Sequence, residues 1–245
     1  MSPLQVHAAK LGGESMAARA FHRTFDALYP TLNPGDYYHC LGFASLLFGE
    51  GDSVFGLSSG GESICTTALN FLYGYNAAML YCLPDKDKSY TEIMRKAAFS
   101  EDAPNYYKVL VILTADGDFD MQETVDAIVA IAKQPITVFI QSLHDEPDSY
   151  EKHRLLDRRW LSPLVSSTGE VACRNMVHFI SNATDFTDVA ASERSTVEMM
   201  ELLKKDIELY YSELDTSFFE PEDITVRACV HPAAAFTVVA AFPVV

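Results

Sequence analysis

Basic residues are scarce in this sequence. The 245 residues include 18 lysines and arginines against 34 aspartates and glutamates, which leaves a net charge of −16 at pH 7. Because nucleic acids and anionic membranes are themselves negatively charged, a surface of this kind repels both. The composition therefore argues against nucleic acid as a partner and against direct membrane binding by this chain alone. It is compatible with a cation site but does not demonstrate one.

Cysteines are also few, and their spacing indicates no paired use. None of the five has a neighbour at the spacing of a zinc site, and they are scattered along the chain as Cys40, Cys65, Cys82, Cys173 and Cys229. An odd number without a repeating pattern disfavours a disulfide framework. We expect buried free thiols in a reducing compartment.

Long apolar runs are absent as well. The start, from Met1 to His7, has no basic segment followed by an apolar one, so no secretory leader is expected. The apolar tail from Ala233 to Val245 is too short to span a bilayer. Hydrophobic residues make up 49% of the chain, which is enough to form a large core. We expect an intracellular protein, either cytoplasmic or held at the plasma membrane through partners.

What the sequence does contain is one clear α/β unit. Val109 to Leu113 is an unbroken apolar run of strand length, which is typical of a strand buried on both faces. An acidic turn follows from Asp116 to Asp120, and then an amphipathic helix that Pro135 ends. Ile136 to Ile140 is a second buried strand. Such units form parallel sheets covered by helices, and their ligands lie at the carboxyl ends of the strands, where the acidic turn is placed.

Other segments extend this α/β pattern along the chain. Predicted strands are Tyr38 to Ala44, Ser53 to Leu57, Met176 to Ile180, Ile224 to Val230 and Phe236 to Phe242. Predicted helices cover 3–29, 62–80 (after Gly60-Gly61), 90–99, 188–214 and a short stretch near 150–156. In the longest helix, the apolar side is predicted to be Val197, Met200, Leu203, Ile207 and Tyr210.

Several of these segments resemble the C-terminal domain of copines, a variant of the von Willebrand factor A fold. The resemblance covers roughly residues 15–215 and is carried, in order, by 41–44, 60–64, 89–93, 108–121, 169–180 and 185–188. It implies a copine-type domain over 1–215. It leaves 216–245 as a β-rich extension packed on the same domain.

The resemblance also implies a metal site that is incomplete. The first strand of the A fold, with its Asp-x-Ser-x-Ser loop, has no counterpart here, and neither do the calcium-binding and phospholipid-binding C2 domains of copines. Ser89 stands for the threonine of the second metal loop, and Asp116 follows Thr114 with one residue inserted. The implied ligands are Ser89, Asp116 and Asp118, and any Mg²⁺ or Ca²⁺ held there would bind weakly.

A plainer interpretation competes with each candidate site. Asp120 can cap the following helix, with Glu123 three residues on, and the other carboxylates then lie favourably near the helix N-terminus. Ser58 to Gly61 is better explained as a turn than as a phosphate loop, because it has no lysine. Arg158, Arg159 and Trp160, with Arg154 nearby, form the one basic cluster, which is either a solvated face or an anchor for a protein partner.

The C-terminus presents a topological question. A sheet of the A type has its first strand in the middle, and an empty central slot would leave unpaired backbone groups that cost about 1–3 kcal/mol each. Phe236 to Phe242 is an apolar run of strand length with no counterpart in the copine pattern. We predict that it supplies sheet pairing, with the vacant slot as one location. The alternative is an apolar tail that does not pack in the sheet.

No nucleophile, general base or cofactor motif is visible. His144, His153 and His178 have no partners at nucleophile or zinc spacing. We therefore expect a non-enzymatic, copine-like module that binds protein partners, in a family linked to calcium-dependent phospholipid binding. The alternative is a metal-dependent, adhesion-like domain with a degenerate metal site.

Overall fold

In this computed structural model of the chain, the residues described are 20, 38–43, 45–47, 55–56, 64–65, 82–84, 90–99, 107–114, 119–143, 150–158, 162–181, 189–213 and 237–243. The strands are β1 (Tyr38–Phe43), β2 (Ser45–Leu47), β3 (Phe55–Gly56), β4 (Ile64–Cys65), β5 (Cys82–Pro84), β6 (Lys108–Thr114), β7 (Ile136–Ser142), β8 (Val177–Ile180) and β9 (Thr237–Pro243). The helices are α1 (Thr91–Ala98), α2 (Met121–Ile131), α3 (Glu151–Leu156) and α4 (Val189–Glu213).

The predicted central unit is confirmed. Every residue of β6 and of β7 is buried, as a continuous apolar run predicts for a strand covered on both faces. Between these strands, α2 begins after Asp120, whose carboxylate Oδ1 accepts a hydrogen bond from the Glu123 backbone N–H at 2.8 Å. The capping interpretation of Asp120 is therefore correct. The strands β6 and β7 pair in parallel from Lys108–Ile136 to Thr114–Ser142.

The main sheet is mostly parallel, with β3-β1-β9-β6-β7-β8 as its strand order. The pairs β1–β9, β9–β6, β6–β7 and β7–β8 are parallel. The short strands β3 and β4 both pair antiparallel with β1. A separate antiparallel pair is formed by β2 and β5. This is the predicted α/β architecture of the von Willebrand factor A type, with a mostly parallel central sheet.

The C-terminal strand β9 lies in the middle of this sheet. Val239 is in register with His39 of β1 on one side and with Leu110 of β6 on the other. The predicted pairing of this run is therefore present, and it occupies the slot that the resemblance assigns to the missing first strand. The other predicted C-terminal strand, Ile224 to Val230, lies outside the described residues, and the proposed division at 215 stays a prediction.

Helices cover both faces of the sheet. Side chains alternate between these faces along each strand, so each strand contributes to both layers of packing. Leu110 and Ile112 belong to the core that packs against α1 and α2. The intervening positions of the sheet point to the opposite face, where Thr137 and His178 contact Asp206 of α4. At the carboxyl end of β6, Thr114 contacts Tyr90, which precedes α1, and Tyr150, which precedes α3.

Between α3 and β8 the chain forms a small hairpin. Val165 and Val171 make an antiparallel bridge, and the turn between them contains Gly169 with φ +85°, a conformation that glycine adopts without strain. Asp126 of α2 fixes the turn, since its two carboxylate oxygens accept hydrogen bonds from the Ser167 backbone N–H at 2.7 Å and hydroxyl at 2.6 Å.

Several sequence predictions are wrong in detail. The predicted helix over 62–80 is contradicted at Ile64–Cys65, which pair with His39 and Tyr38 of β1 as a strand, because tertiary pairing prevails over local propensity in a two-residue segment. The strand β5, which ends at Pro84, has no counterpart among the predicted strands. The rest of that helix and the helix over 3–29 lie outside the described residues, except for Ala20, which is helical and buried.

The orientation of α4 also differs from the prediction. Leu203 is buried as predicted, but Val197, predicted on the same side, is 55% exposed, and Met199 and Asp206 are buried instead. The buried stripe therefore includes a carboxylate, which hydrophobic periodicity alone excludes from a core-facing position. Because partners on the sheet hold Asp206, the buried face of the helix differs from the one predicted.

Candidate functional site

The carboxyl end of the sheet is the candidate site, because ligands of parallel α/β sheets bind there. In this chain β6 ends at Thr114 and β7 ends at Ser142. Tyr90 lies directly before α1, and Asp120 caps α2. These positions bring residues that are distant in sequence to one end of the fold.

Aromatic side chains fill this end around a buried histidine. His153 of α3 is fully buried, and its ring lies within 6 Å, centroid to centroid, of four others: Tyr90 at 5.7 Å, Phe119 at 4.7 Å, Tyr150 at 5.5 Å and Phe179 at 5.7 Å. The Phe179 ring is nearly parallel to the imidazole, at 19°. We call these five residues the aromatic cluster.

Hydrogen bonds tie this cluster to the end of β6. The Tyr90 hydroxyl lies 2.8 Å from His153 Nε2 and donates to Thr114 Oγ1 at 3.4 Å. The Tyr150 hydroxyl donates to the Thr114 backbone carbonyl at 3.3 Å. The Tyr90 and Tyr150 hydroxyls and His153 Nε2 thus have partners within the protein, which lowers the cost of burying them.

The predicted metal ligands themselves, Ser89, Asp116 and Asp118, lie outside the described residues. Their neighbours are described: Tyr90 follows Ser89, and Thr114 precedes the inserted Ala115. The contact between Tyr90 and Thr114 brings these two flanking residues together. Within the described part of the chain, no group of three or more His, Cys, Asp or Glu side chains is arranged to hold a metal ion. The metal assignment stays a prediction.

The helix α3 covers the aromatic cluster from outside. Lys152 Nζ lies 5.7 Å from the centre of the Phe119 ring and donates to the Phe119 carbonyl at 3.1 Å. The Arg154 guanidinium lies 5.6 Å from the centre of the Phe179 ring. These cation–π contacts hold the basic side chains of α3 against aromatic faces. Leu155 of the same helix is 44% exposed and adds apolar surface.

The predicted partner-binding cluster continues from this helix. Arg158 is half-buried, and its Nε atom has no hydrogen-bond partner among the described residues. Arg159 and Trp160 lie outside the described residues. The structure therefore shows only the first residue of the predicted cluster, and a role for the cluster in partner binding stays a prediction.

A second polar group, at the amino end of the sheet, was not found from the sequence. Asp206 Oδ2 accepts a hydrogen bond from Thr137 Oγ1 at 2.8 Å and lies 2.8 Å from His178 Nε2, within hydrogen-bond distance. The Thr137 hydroxyl uses its proton in the hydrogen bond to Asp206. The Tyr107 hydroxyl, 2.8 Å from Thr137 Oγ1, therefore donates to Thr137. Burial raises the pKa of Tyr107 to about 12. This chain of bonds fastens α4 to the sheet.

Arg174 extends this group to the connection between α2 and β7. Its guanidinium donates to the carbonyls of Ala132 at 3.0 Å, Gln134 at 2.6 Å and Ile136 at 2.7 Å. The Tyr210 ring lies 5.2 Å from the guanidinium carbon. Carbonyls that end a helix have no partner within it, and a planar arginine side chain can satisfy several of them together. These contacts assign Arg174 a structural role.

The expectation of buried thiols is wrong for Cys173, which is exposed and free. Its neighbours Ala172 and Arg174 are buried, and its thiol donates to the Ala132 carbonyl at 3.3 Å. The side chains of the other four cysteines are not among those described. Of the histidines singled out, His153 and His178 are buried with side-chain partners, and His144 lies outside the described residues.

Comparison with known proteins identifies the family. The copine family model matches residues 61–210, which is more than half of the chain. The chain belongs to the copine family. The resemblance inferred from the motifs is thereby confirmed. The matched segment begins before β4 and extends into α4. It therefore contains the aromatic cluster and also Tyr107, Thr137, His178 and Asp206. The strands β1, β2, β3 and β9 lie outside it.

Two curated relatives align with part of this copine-family chain. Protein BONZAI 2 of Arabidopsis thaliana is 31% identical over 103 residues, which are 42% of this chain and 16% of the relative. Protein BONZAI 1 of the same plant is 29% identical over 108 residues, which are 44% of this chain and 18% of the relative. The alignments thus span less than a fifth of either relative. Among the helices that the structure describes, none has the length and apolar character needed to cross a membrane.

Proposed function

We propose that this chain is a non-enzymatic, copine-type module that binds protein partners without requiring a metal ion. The observation that carries the proposal is the aromatic cluster. This cluster lies at the end of the sheet where α/β enzymes hold substrates. Its histidine, His153, is fully buried, and the Nε2 atom lies 2.8 Å from the Tyr90 hydroxyl. A group enclosed in this way cannot meet a substrate unless α3 moves.

The proposed partner surface is α3 with the residues that follow it. Arg154 and Leu155 are exposed there, Arg158 is half-buried, and the sequence continues with Arg159 and Trp160. Arginine and tryptophan are enriched among the residues that dominate binding energy in protein interfaces. In a chain with net charge −16, such a basic surface favours a partner segment that is acidic.

The test uses the full chain and maps contacts rather than capture alone. Wild type and an Arg158→Glu, Arg159→Glu, Trp160→Ala variant would be crosslinked to co-purified proteins, and the crosslinked residues would be identified by mass spectrometry. Lys204→Glu on α4, whose side chain is 81% exposed, is the matched charge-reversal control. We expect crosslinks near α3 that are lost only in the triple variant. Crosslinks that persist in the triple variant would contradict this surface assignment.

A second candidate function is metal-dependent, adhesion-like binding through Ser89, Asp116 and Asp118. The contact between Tyr90 and Thr114 favours it, because these residues flank the segments that contain the ligands. Hard cations such as Mg²⁺ and Ca²⁺ require about six to eight oxygen ligands. The strand in the central slot, β9, ends in Phe242-Pro243, which contribute no side-chain oxygen.

Calorimetric titration of the full chain with Mg²⁺ and with Ca²⁺ separates the two candidates. We expect millimolar or weaker dissociation, equivalent to about −4 kcal/mol or a less favourable value. Micromolar binding that is lost in Asp116→Ala would support the metal-dependent function and exclude our first proposal.

Calcium-dependent phospholipid binding is not proposed for this chain by itself. The net charge of −16 opposes contact with anionic lipid. We expect no co-sedimentation with phosphatidylserine vesicles, in the presence or absence of Ca²⁺, and an intracellular location reached through protein partners. Calcium-dependent co-sedimentation of the purified chain would overturn this expectation.

A further inference from the structure

The central strand of the sheet comes from the end of the chain. Of the described strands, β9 alone pairs with both β1 and β6, in parallel on each side. Six residue pairs join it to β1, from Tyr38–Val238 to Phe43–Pro243, and five join it to β6. The segment 214–236 separates it from α4. The strand is thus distant in sequence from both of the strands that it joins.

The slot that β9 fills has two open edges when it is empty. A strand edge presents a row of backbone N–H and C=O groups that another strand can pair with. Here the edges of β1 and β6 face one slot from opposite sides, so a single inserted strand satisfies both. In recognition by strand addition, affinity comes mainly from backbone hydrogen bonds.

We infer that the slot between β1 and β6 is a strand-acceptor site, and that residues 237–243 are its tethered ligand. The covalent link through 214–236 is not required for pairing, and it acts by raising the local concentration of the strand. A covalent link makes the pairing intramolecular, so the strand is present at a higher effective concentration than the same strand of a separate chain. At micromolar protein, the strand of the same chain therefore occupies the site in preference to that of a second copy. This inference is independent of the proposed α3 surface.

The experiment uses the full chain with a specific protease site introduced within 223–232. After folding, the chain is cleaved, and the C-terminal fragment is followed by size-exclusion chromatography. We expect the fragment to remain bound, because the sheet contacts persist. A fluorescent peptide of residues 233–245 in excess should then replace the fragment in the cleaved chain. The same peptide should enter the uncleaved chain at least tenfold less, because the tethered strand competes with it.

Peptide variants test the backbone pairing directly. A Val239→Pro peptide lacks an N–H in the middle of the strand and should bind about tenfold more weakly or not at all. A Val244→Pro peptide places the same substitution beyond the end of β9 and should bind like the wild-type peptide. This pair distinguishes strand insertion from nonspecific adsorption of an apolar peptide.

Each outcome decides the question. Release of the fragment on cleavage, with an unchanged melting temperature, would show that residues 237–243 do not complete the sheet and would overturn the inference. Retention without any peptide exchange up to the melting temperature would show an integral strand and no acceptor site, which also overturns it. Exchange that is equally strong with the Val239→Pro peptide would exclude strand insertion. A dimer of the full chain at millimolar concentration that the peptide dissociates would identify a second copy as an additional occupant and support the site.

Discussion

Asp206→Ala should destabilise the fold strongly. The carboxylate is 3% exposed and accepts from Thr137 while pairing with His178, each at 2.8 Å. Its removal leaves two buried polar groups without their acceptor. Leaving a buried polar group without its partner costs about 1–3 kcal/mol, so the two groups together cost about 2–6 kcal/mol. Since domains are stable by about 5–15 kcal/mol, the expected loss is a large fraction of the total.

Urea denaturation followed by far-ultraviolet circular dichroism measures this loss. The midpoint should fall while the slope stays constant, which indicates a change in stability and not in compactness. For a domain of this size the melting temperature should fall by roughly 4–24 °C, at about 2–4 °C per kcal/mol. Glu208→Ala is the control on the same helix, because Glu208 is 67% exposed and lies 4.0 Å from Lys204. It should change the free energy of unfolding by less than about 0.5 kcal/mol.

A double-mutant cycle locates the effect. His178→Ala and Asp206→Ala should be non-additive, with a coupling of about 1 kcal/mol or more, if the pair acts as a unit. Asp206→Asn should be intermediate, because the amide oxygen can still accept a hydrogen bond. The reasoning would be refuted if Asp206→Ala lost no more stability than Glu208→Ala, or if the two pair mutations were additive.

Three further predictions concern single groups. Asp120→Ala removes the acceptor of the Glu123 backbone N–H and should cost about 1 kcal/mol in urea denaturation, and an unchanged midpoint would contradict the capping role. Hydrogen bonds from the Ser167 hydroxyl, and then from its backbone N–H, hold the pKa of Asp126 below its ordinary value. A folded pKa below the unfolded one stabilises the fold above the unfolded pKa, and this contribution is lost as pH falls through the folded pKa. Carbon-13 NMR titration of the Asp126 carboxyl should show the low pKa, and Ser167→Ala should raise it. Burial raises the pKa of Tyr107 from 10.0 to about 12, so the neutral phenol stabilises the fold below pH 10 and the contribution is lost as pH rises toward 12. Alkaline unfolding followed by tyrosinate absorbance should therefore shift in Tyr107→Phe, and an identical alkaline midpoint would count against this.

The sequence predicted those elements whose signal is local. The apolar run Val109 to Leu113 is buried on both faces, and a strand of that kind needs no partner to be recognised. The helix α2 has helical spacing, an aspartate at its start and Pro135 after its end. Asp120 and Glu123 lie three residues apart, and this spacing alone predicted the cap. In each case the physical cause acts within about one turn or strand.

Interactions between distant residues could not be predicted in this way. Asp206 contacts Thr137 and His178, which are 69 and 28 residues away. Hydrophobic periodicity treats a carboxylate as a surface residue. It therefore predicts that Asp206 faces solvent and that Val197 lies on the buried side of α4. His153 was assigned no partner from spacing, yet its hydrogen-bond partner Tyr90 is 63 residues away. A histidine on a short helix rich in charged residues offered no signal for burial.

The two ends of the sheet are built from different chemistry, and this contrast supports the proposed function. At the amino end, the Tyr107, Thr137 and Asp206 side chains form a chain of hydrogen bonds that uses its polar groups to fasten α4. At the carboxyl end, the aromatic cluster uses rings to fill the space below α3. The Tyr90, Tyr107 and Tyr150 hydroxyls are all engaged in hydrogen bonds within the protein. Binding by this module would then depend on what α3 presents outward, and on whether β9 keeps the sheet beneath it closed.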